Sequence, residues 1–138
     1  FFTDYDGKKG QEIVNNNKAA INFWWAKTNK QIRIEGVCTK VSNKESDDYF
    51  HSRPRGSQIS ALASKQSETL ESYEGLLEKA NQIESDNEGK DIKRPDRWGG
   101  FILKPNSFEF WTNQENRLHK RELFTLNGEG WEKSLISP

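Results

Sequence analysis

Phe108-Glu109-Phe110-Trp111 reads as an alternating aromatic strand, and after a short gap it runs into Arg117-Leu118-His119-Lys120-Arg121. In a β-strand, residues i, i+2 and i+4 share a face. Arg117, His119 and Arg121 are therefore expected to project together, as two fixed cations around a titratable imidazole. Such a row suits an anionic, planar ligand, because guanidinium forks hold phosphate and imidazole bonds or exchanges protons near neutral pH. A solvated edge strand, whose positive side chains deter edge-to-edge aggregation, accounts for the same pattern.

Working outward, Leu118–Leu126 and Trp131–Ile136 form a strand pair around Asn127-Gly128-Glu129-Gly130, a strong turn. Gly99–Lys104 and Ser107–Trp111 read as a hairpin across Pro105-Asn106, and Ser85–Pro95 as a charged loop. A helix spans about Leu70 to Glu84, with Tyr73, Leu76, Leu77, Ala80 and Ile83 on one face. Before it, Ser57–Ser64 reads as a short helix and Glu45–His51 as another, capped by Ser42 or Asn43 and ended by Pro54. Gln31–Glu35 alternates and continues past Gly36 through Val41, joined by Lys27-Thr28-Asn29-Lys30 to the aromatic strand Ala19–Ala26. Residues 1–5 are strand-like, Asp6-Gly7 is a turn, and Lys8-Lys9-Gly10 is expected to be a basic loop. Strands, then helices, then strands, with short hairpins, point to an antiparallel barrel with helices packed outside.

The 138 residues are one domain's worth of chain. Hydrophobic content of 32% is low for a self-sufficient core, and five Trp with eight Phe compensate in part. This balance fits a chain that completes its burial against a second subunit or a flat cofactor. Lys+Arg and Asp+Glu both number 21, which excludes the field of a general nucleic-acid binder and makes any anion site a local cluster. The single Cys38 forms no intramolecular disulfide and is expected to be a small buried hydrophobe; with no cluster at metal-ligand spacing, it favours a reducing, cytoplasmic compartment. No apolar run is long enough for a membrane-spanning helix. There is no Met, even at position 1, and the chain opens in mid-strand, so it reads as a piece of a longer translation product.

A second constellation lies at Tyr49-Phe50-His51-Ser52-Arg53-Pro54-Arg55-Gly56-Ser57. Tyr49 and Arg53 are four apart, and Ser57 opens the next helix, where backbone N–H groups and the helix dipole welcome an anion. Together they make a phosphate cradle; a cap, a surface pair and a buried Tyr would look the same. Gln31, Gln66 and Ser67 are residues of the kind that read the amide edges of a ring. Lys8 and Lys9 can neutralise a phosphate. His51 reads as structural, since nothing around it suggests a base–nucleophile pair. No Ser/His/Asp signature, GxGxxG or Walker loop supports hydrolysis.

These signals occur in the order of a known family. The opening FFT, KKGQE at Lys8–Glu12, NKQIRIEG at Asn29–Gly36 and YFHSRPRGSQISALASKQS at Tyr49–Ser67 resemble pyridoxamine 5'-phosphate oxidases, as do WGG at Trp98–Gly100, FEFW at Phe108–Trp111 and RLH at Arg117–His119. The resemblance runs from Phe1 to Pro138. It implies a mainly β (α+β), FMN-binding split β-barrel of antiparallel Greek-key strands, working as a homodimer with FMN held between subunits. Residues 1–138 would be a single such domain lacking the family's N-terminal strands. By resemblance, Phe2, Thr3, Lys8, Lys9, Gln31, Gln66, Ser67, Trp111 and Arg121 meet FMN, the lysines near its phosphate. Tyr49, Arg53 and Ser57 hold the substrate phosphate, and Arg117 and His119 lie over the substrate ring.

The implied reaction is oxidation of pyridoxamine or pyridoxine 5'-phosphate by molecular oxygen, giving pyridoxal 5'-phosphate and hydrogen peroxide. The cofactor supplies the redox chemistry and the protein alignment. Several positions depart from the family pattern. An upstream Arg-x-Val-Leu-Leu-Lys type of strand is absent, Lys120 stands where Asp, Asn or Glu is usual, Thr112 follows FEFW, and Lys8 replaces an Arg. The alternative is a non-catalytic, truncated paralogue that binds a B6 phosphate or FMN, or only dimerises.

Overall fold

A computed structural model describes residues 1–138. In chain order the elements are β1 (Phe2–Asp4), α1 (Lys8–Asn15), β2 (Lys18–Trp25), β3 (Lys30–Lys40), α2 (Asn43–Ser52), α3 (Arg55–Ala63), α4 (Tyr73–Asp86), β4 (Trp98–Thr112), a 3-10 turn (Glu115–Arg117), β5 (Lys120–Asn127) and β6 (Gly130–Ile136). Every strand pairing with a determined register is antiparallel, and the sheet order is β2-β3-β4-β5-β6, with β1 added on β4. No pairing joins β2 to β6, so the sheet stays open. Four α-helices accompany six strands, which is the α+β, antiparallel class expected. The chain divides into two compact units, Phe1–Asn16 with Lys40–Ile102, and Asn17–Thr39 with Leu103–Pro138.

In the first unit, the Ser42 hydroxyl accepts the Glu45 amide at 3.1 Å, and the Glu45 carboxylate accepts the Ser42 amide at 3.0 Å. This reciprocal capping box starts α2, and Pro54 caps α3, so the two helices meet at Arg53. Their inward faces bury Phe50 and Ile59 with Ile92 and Trp98, and Ala80 and Ile83 of α4 pack against that cluster. Earlier in the α4 stripe Leu76 is half-buried, while Tyr73 and Leu77 are exposed. That helix starts three residues later than its apolar period suggests because the Ser72 hydroxyl accepts the Gly75 amide and sets the N-cap.

Two expectations need correction here. Lys8-Lys9-Gly10 is not a loop but the first turn of α1. Gly10 is the reason: a Cβ there would overlap the Tyr5 carbonyl oxygen and lie 2.6 Å from that of Asp4. The glycine that weakens the helical signal is the residue that lets the helix lie against β1. The charged loop before Pro95 is also partly interior. Ile92 is buried, and its carbonyl oxygen lies 3.1 Å from His51 Nε2, the structural role expected of that histidine. The buried Arg94 reaches Asp47 at 2.7 Å and the Trp98 carbonyl at 2.5 Å. Arg97 pairs with Asp4 and donates to the carbonyls of Ala61, Leu62 and Ser64 at the end of α3.

In the second unit, β2 and β3 form the expected hairpin, and β5 and β6 close on Asn127↔Gly130. The hairpin expected across Pro105-Asn106 does not exist, because β4 is one continuous strand of 15 residues. Proline is tolerated there because it sits between two ladders. Residues upstream pair with β1 at Phe2↔Gly100, and those downstream pair with β5 from Ser107↔Thr125. Gly36 of β3 makes room for it: a Cβ would overlap the Lys104 carbonyl oxygen and lie 2.8 Å from the Pro105 Cα. Cys38 is buried as expected, and burial raises its thiol pKa. No helix is long and apolar enough to cross a membrane.

Glu109 of β4 is buried and takes Arg121 Nε of β5 at 2.6 Å and Arg33 Nη2 of β3 at 3.5 Å. The hydrogen bond from Arg121 lowers its pKa, with the charges of Arg121 and Arg33 adding and burial opposing. A carboxylate depressed in the native state binds fewer protons than in the unfolded chain. Its stabilisation is therefore full above the ordinary glutamate value of about 4.3 and is lost as pH falls through the depressed native value. Denaturant titrations at stepped pH should show wild-type stability falling below about pH 4.3, with a shallower acid slope in Glu109→Gln. In a separate test, Gly36→Ala should cost about 1–3 kcal/mol by chemical denaturation, the usual range for overpacking; an unchanged midpoint would show that β3 and β4 are not in tight apposition.

Candidate functional site

The α2–α3 junction carries Tyr49, Arg53 and Ser57, the residues expected to form a phosphate cradle. Tyr49 lies on the last turns of α2, Arg53 is its C-cap, and Ser57 is on the first turn of α3. What gathers Tyr49 and Arg53 is Trp98, a residue to which the sequence reading gave no role beyond the WGG motif. The Tyr49 ring lies parallel to the indole, 2° apart in plane and 6.2 Å between centroids. The Arg53 guanidinium sits 4.7 Å from the indole centroid. Arg53 Nη1 is buried and has no hydrogen-bond partner. Leaving a buried charged donor unsatisfied costs a few kcal/mol, so an acceptor belongs at that atom. One detail differs from expectation: the Ser57 amide is already bonded to the Pro54 carbonyl at 2.8 Å. Ser57 therefore has its hydroxyl, rather than its backbone N–H, to give to an anion.

The first unit also holds six of the residues expected at FMN. The buried Thr3 donates its hydroxyl to Gln66 Oε1 at 2.7 Å, which fixes the amide orientation and makes Nε2 its donor end. Gly7 abuts the Gln66 side chain, where a Cβ would come within 3.2 Å of it. Ser67 has φ +71°, a left-handed conformation that a non-glycine residue adopts at a cost. Lys8 and Lys9 open α1, whose first turn has no acidic residue and no side-chain cap, so charge and helix dipole both favour an anion. Phe2 stacks on Tyr49 at 3.8 Å, so the expected flavin and substrate residues adjoin within this unit.

In the second unit, Gln31 and Trp111 line a groove of about 360 Å³ with Trp25, Ile32, Phe110 and Phe124. An aromatic wall beside an amide suits a flat heterocycle. His119 packs against Trp111, with centroids 4.5 Å apart. Its Nδ1 accepts the Gln114 amide at 3.2 Å, which leaves the proton of the neutral ring on Nε2.

The expected one-faced row of Arg117, His119 and Arg121 is not a strand row. Only Arg121 is in β5; His119 precedes the strand, and Arg117 lies in the 3-10 turn. The polar run Asn113-Gln114-Glu115-Asn116 turns the chain there, with Asn116 at φ +53° and Arg117 at φ +63°. Asn tolerates that region; Arg does so under strain, which proteins retain where a side chain must be aimed. Lys120 is held by Glu122 at 3.0 Å.

Arg121 is bound through Nε to Glu109 and through Nη1 to the Ser137 carbonyl at 2.8 Å. Glu109 was missed because a single acid in an aromatic strand reads as its solvent-facing member. Arg94 and Arg97 were missed because a run such as Lys93-Arg94-Pro95-Asp96-Arg97 looks solvated. Trp98 was the one residue with a signal available, a large aromatic beside two glycines at a strand start.

The family described as pyridoxamine 5'-phosphate oxidase matches residues 1–86, and the pyridoxine 5'-phosphate oxidase C-terminal dimerisation region matches residues 98–138. Pyridoxine/pyridoxamine 5'-phosphate oxidases of Christiangramia forsetii and Rubrobacter xylanophilus are 46% and 44% identical over the whole chain, which spans 64% of the length of each. The crystal structure of PhzG from Burkholderia lata, in complex with tetrahydrophenazine-1-carboxylic acid, superposes with a TM-score of 0.91 at 29% identity, covering 100% of this chain and 67% of that one. An FMN-binding, pyridoxamine 5'-phosphate oxidase-related protein from Nostoc punctiforme shares the fold, with a TM-score of 0.73 at 16% identity, covering 100% of this chain and 72% of that one. The expected fold class is thus the observed one, and the Nostoc neighbour is described as binding FMN, the cofactor expected here. The amide, lysine and aromatic donors described above fit such a group. On these matches and this fold, the chain belongs to the pyridoxamine 5'-phosphate oxidase family.

Proposed function

We propose that this protein oxidises pyridoxamine 5'-phosphate or pyridoxine 5'-phosphate with molecular oxygen, using FMN, to give pyridoxal 5'-phosphate and hydrogen peroxide. The observation that carries this reading is the buried, unpartnered Nη1 of Arg53 on the Trp98 face. It is a site short of one strong acceptor, and a phosphate supplies it. The family relatives, named for this activity, support the choice of substrate.

When bound, FMN would supply the redox chemistry that couples oxidation of the substrate's side-chain carbon to reduction of oxygen. The chain's own residues align the partners. Tyr49, Arg53 and Ser57 hold the phosphate end. Arg117 and His119 clamp the ring, His119 donating from Nε2. For the amine substrate, water completes the reaction by releasing ammonia. Phe2, Thr3, Lys8, Lys9, Gln31, Gln66, Ser67, Trp111 and Arg121 hold the flavin, with Lys8 and Lys9 at its phosphate. The working form is a homodimer with FMN at the subunit interface, in the cytoplasm. The dimerisation-region match and the exposed Phe23, Trp24, Trp25, Trp131 and Leu135 support the dimer.

The PhzG neighbour, seen with a fused-ring carboxylic acid, favours one competitor, since an orphan guanidinium also accepts carboxylate. A substrate comparison separates the two: peroxide release from the B6 phosphates supports the proposal, and release only from a fused-ring acid overturns it. Three outcomes are expected. After FMN is added and excess removed by gel filtration, the chain should elute at dimer size with a flavin absorption band. Steady-state assays of Arg53→Gln should show KM for the phosphorylated substrate rising about tenfold or more, the worth of one charge-assisted hydrogen bond; an unchanged KM would remove the cradle. Arg117→Ala should lower kcat/KM roughly a hundredfold through lost alignment, with FMN retention unaffected. A chain that binds pyridoxal phosphate but retains no flavin would instead be a non-catalytic binder.

A further inference from the structure

Glu109 is a buried acid in the middle of a strand, and burying a carboxylate is costly unless it is paired and hydrogen-bonded. It lies between Arg33 of β3 and Arg121 of β5, so one carboxylate ties three neighbouring strands. Arg33 also pairs with Glu35 at 3.1 Å, and Ser107 donates to Glu35 at 3.5 Å. Arg121 is the more tightly fixed of the two arginines. Its Nε meets Glu109 at 2.6 Å and its Nη1 meets the Ser137 carbonyl at 2.8 Å, so Nη2 alone is uncommitted. Arg121 is registered opposite Trp111, which lines the aromatic groove. A pair needed only for stability could be replaced by packed apolar residues at no loss. This one stands beside the groove and leaves a single donor edge available.

We propose that Glu109 is a positioning residue of the flavin site, fixing the Arg121 guanidinium so that its Nη2 edge is kept for the cofactor and its charge is partly balanced. This rests on the proposed placement of Arg121 at FMN. Arg121 would then bind the cofactor as an aimed fork, at low entropic cost. The carboxylate would also set the local charge that the flavin meets.

The test is an FMN titration of the full chain, followed by quenching of flavin fluorescence, for wild type, Arg121→Lys, Glu109→Gln and the double variant, with melting temperatures recorded in parallel. Each single variant should weaken FMN binding about fivefold to tenfold, and the double should be no weaker than the worse single, as for groups acting through one contact. Loss of the negative charge in Glu109→Gln should also move the flavin midpoint potential to a more positive value, which a merely structural role would not do. Wild-type affinity and potential in Glu109→Gln, with Arg121→Lys impaired, would overturn the inference alone. So would single effects that multiply in the double variant. Unchanged affinity in Arg121→Lys would instead overturn the placement of Arg121 at the flavin, and the inference with it. Absence of any FMN binding by the wild-type chain would overturn both. If Glu109→Gln does not fold, Glu109→Asp keeps the charge but withdraws it by one methylene: weakened FMN binding with an unshifted potential supports the inference, and wild-type binding overturns it.

Discussion

Buried guanidinium groups need acceptors, and in this chain that need holds the segments that no helix or ladder holds. Arg94 draws the loop after α4 onto Asp47 and the Trp98 carbonyl, so that Ile92 can be interior. Arg97 takes the carbonyls at the end of α3 and the carboxylate of Asp4, which sets where the Gln66-Ser67 segment leaves the helix beside Thr3. Arg121 is fixed in the same manner by Glu109 and Ser137. Arg53 is the exception. It has the aromatic face and the burial of Nη1, but no acceptor for that atom. Against three arginines satisfied from within the chain, the fourth marks where a ligand belongs.

Trp98 turns that arginine into a site. An indole that stacks Tyr49, carries Arg53 and touches Phe2 restricts the rotamers of all three before anything binds. Restricting flexible side chains in advance lowers the entropy cost of binding. The second unit reaches the same end by another route, with backbone strain at Asn116 and Arg117 and a histidine whose tautomer is set by the Gln114 amide. In both units the candidate site residues are set by neighbours of no evident chemistry.

Local rules carried much of the reading. The α2 cap at Ser42, the break at Pro54 and the β2–β3 and β5–β6 hairpins each follow from a few adjacent residues, and they are found where those residues predict them. Two of the misreadings share one cause. Lys8-Lys9-Gly10 and Pro105-Asn106 carry turn residues, yet each lies inside a regular element because another part of the chain needs the missing Cβ or tolerates the missing N–H. The row from Arg117 to Arg121 has strand periodicity, but the polar run before it turns the chain at Asn116.

By itself the sequence determined the element types with strong local signals, the antiparallel α+β class and, through motif order, the family and the residue types at the site. These are encoded in adjacent side chains or in spacing, which survive without coordinates. Only the tertiary structure decided that Trp98 carries both Tyr49 and Arg53, that Glu109 is interior and shared by two arginines, and that the buried Nη1 of Arg53 lacks an acceptor. Each of those facts is a matter of hydrogen-bond satisfaction between residues distant in sequence. Burial and pairing are properties of the folded whole, and no pattern within a short window contains them.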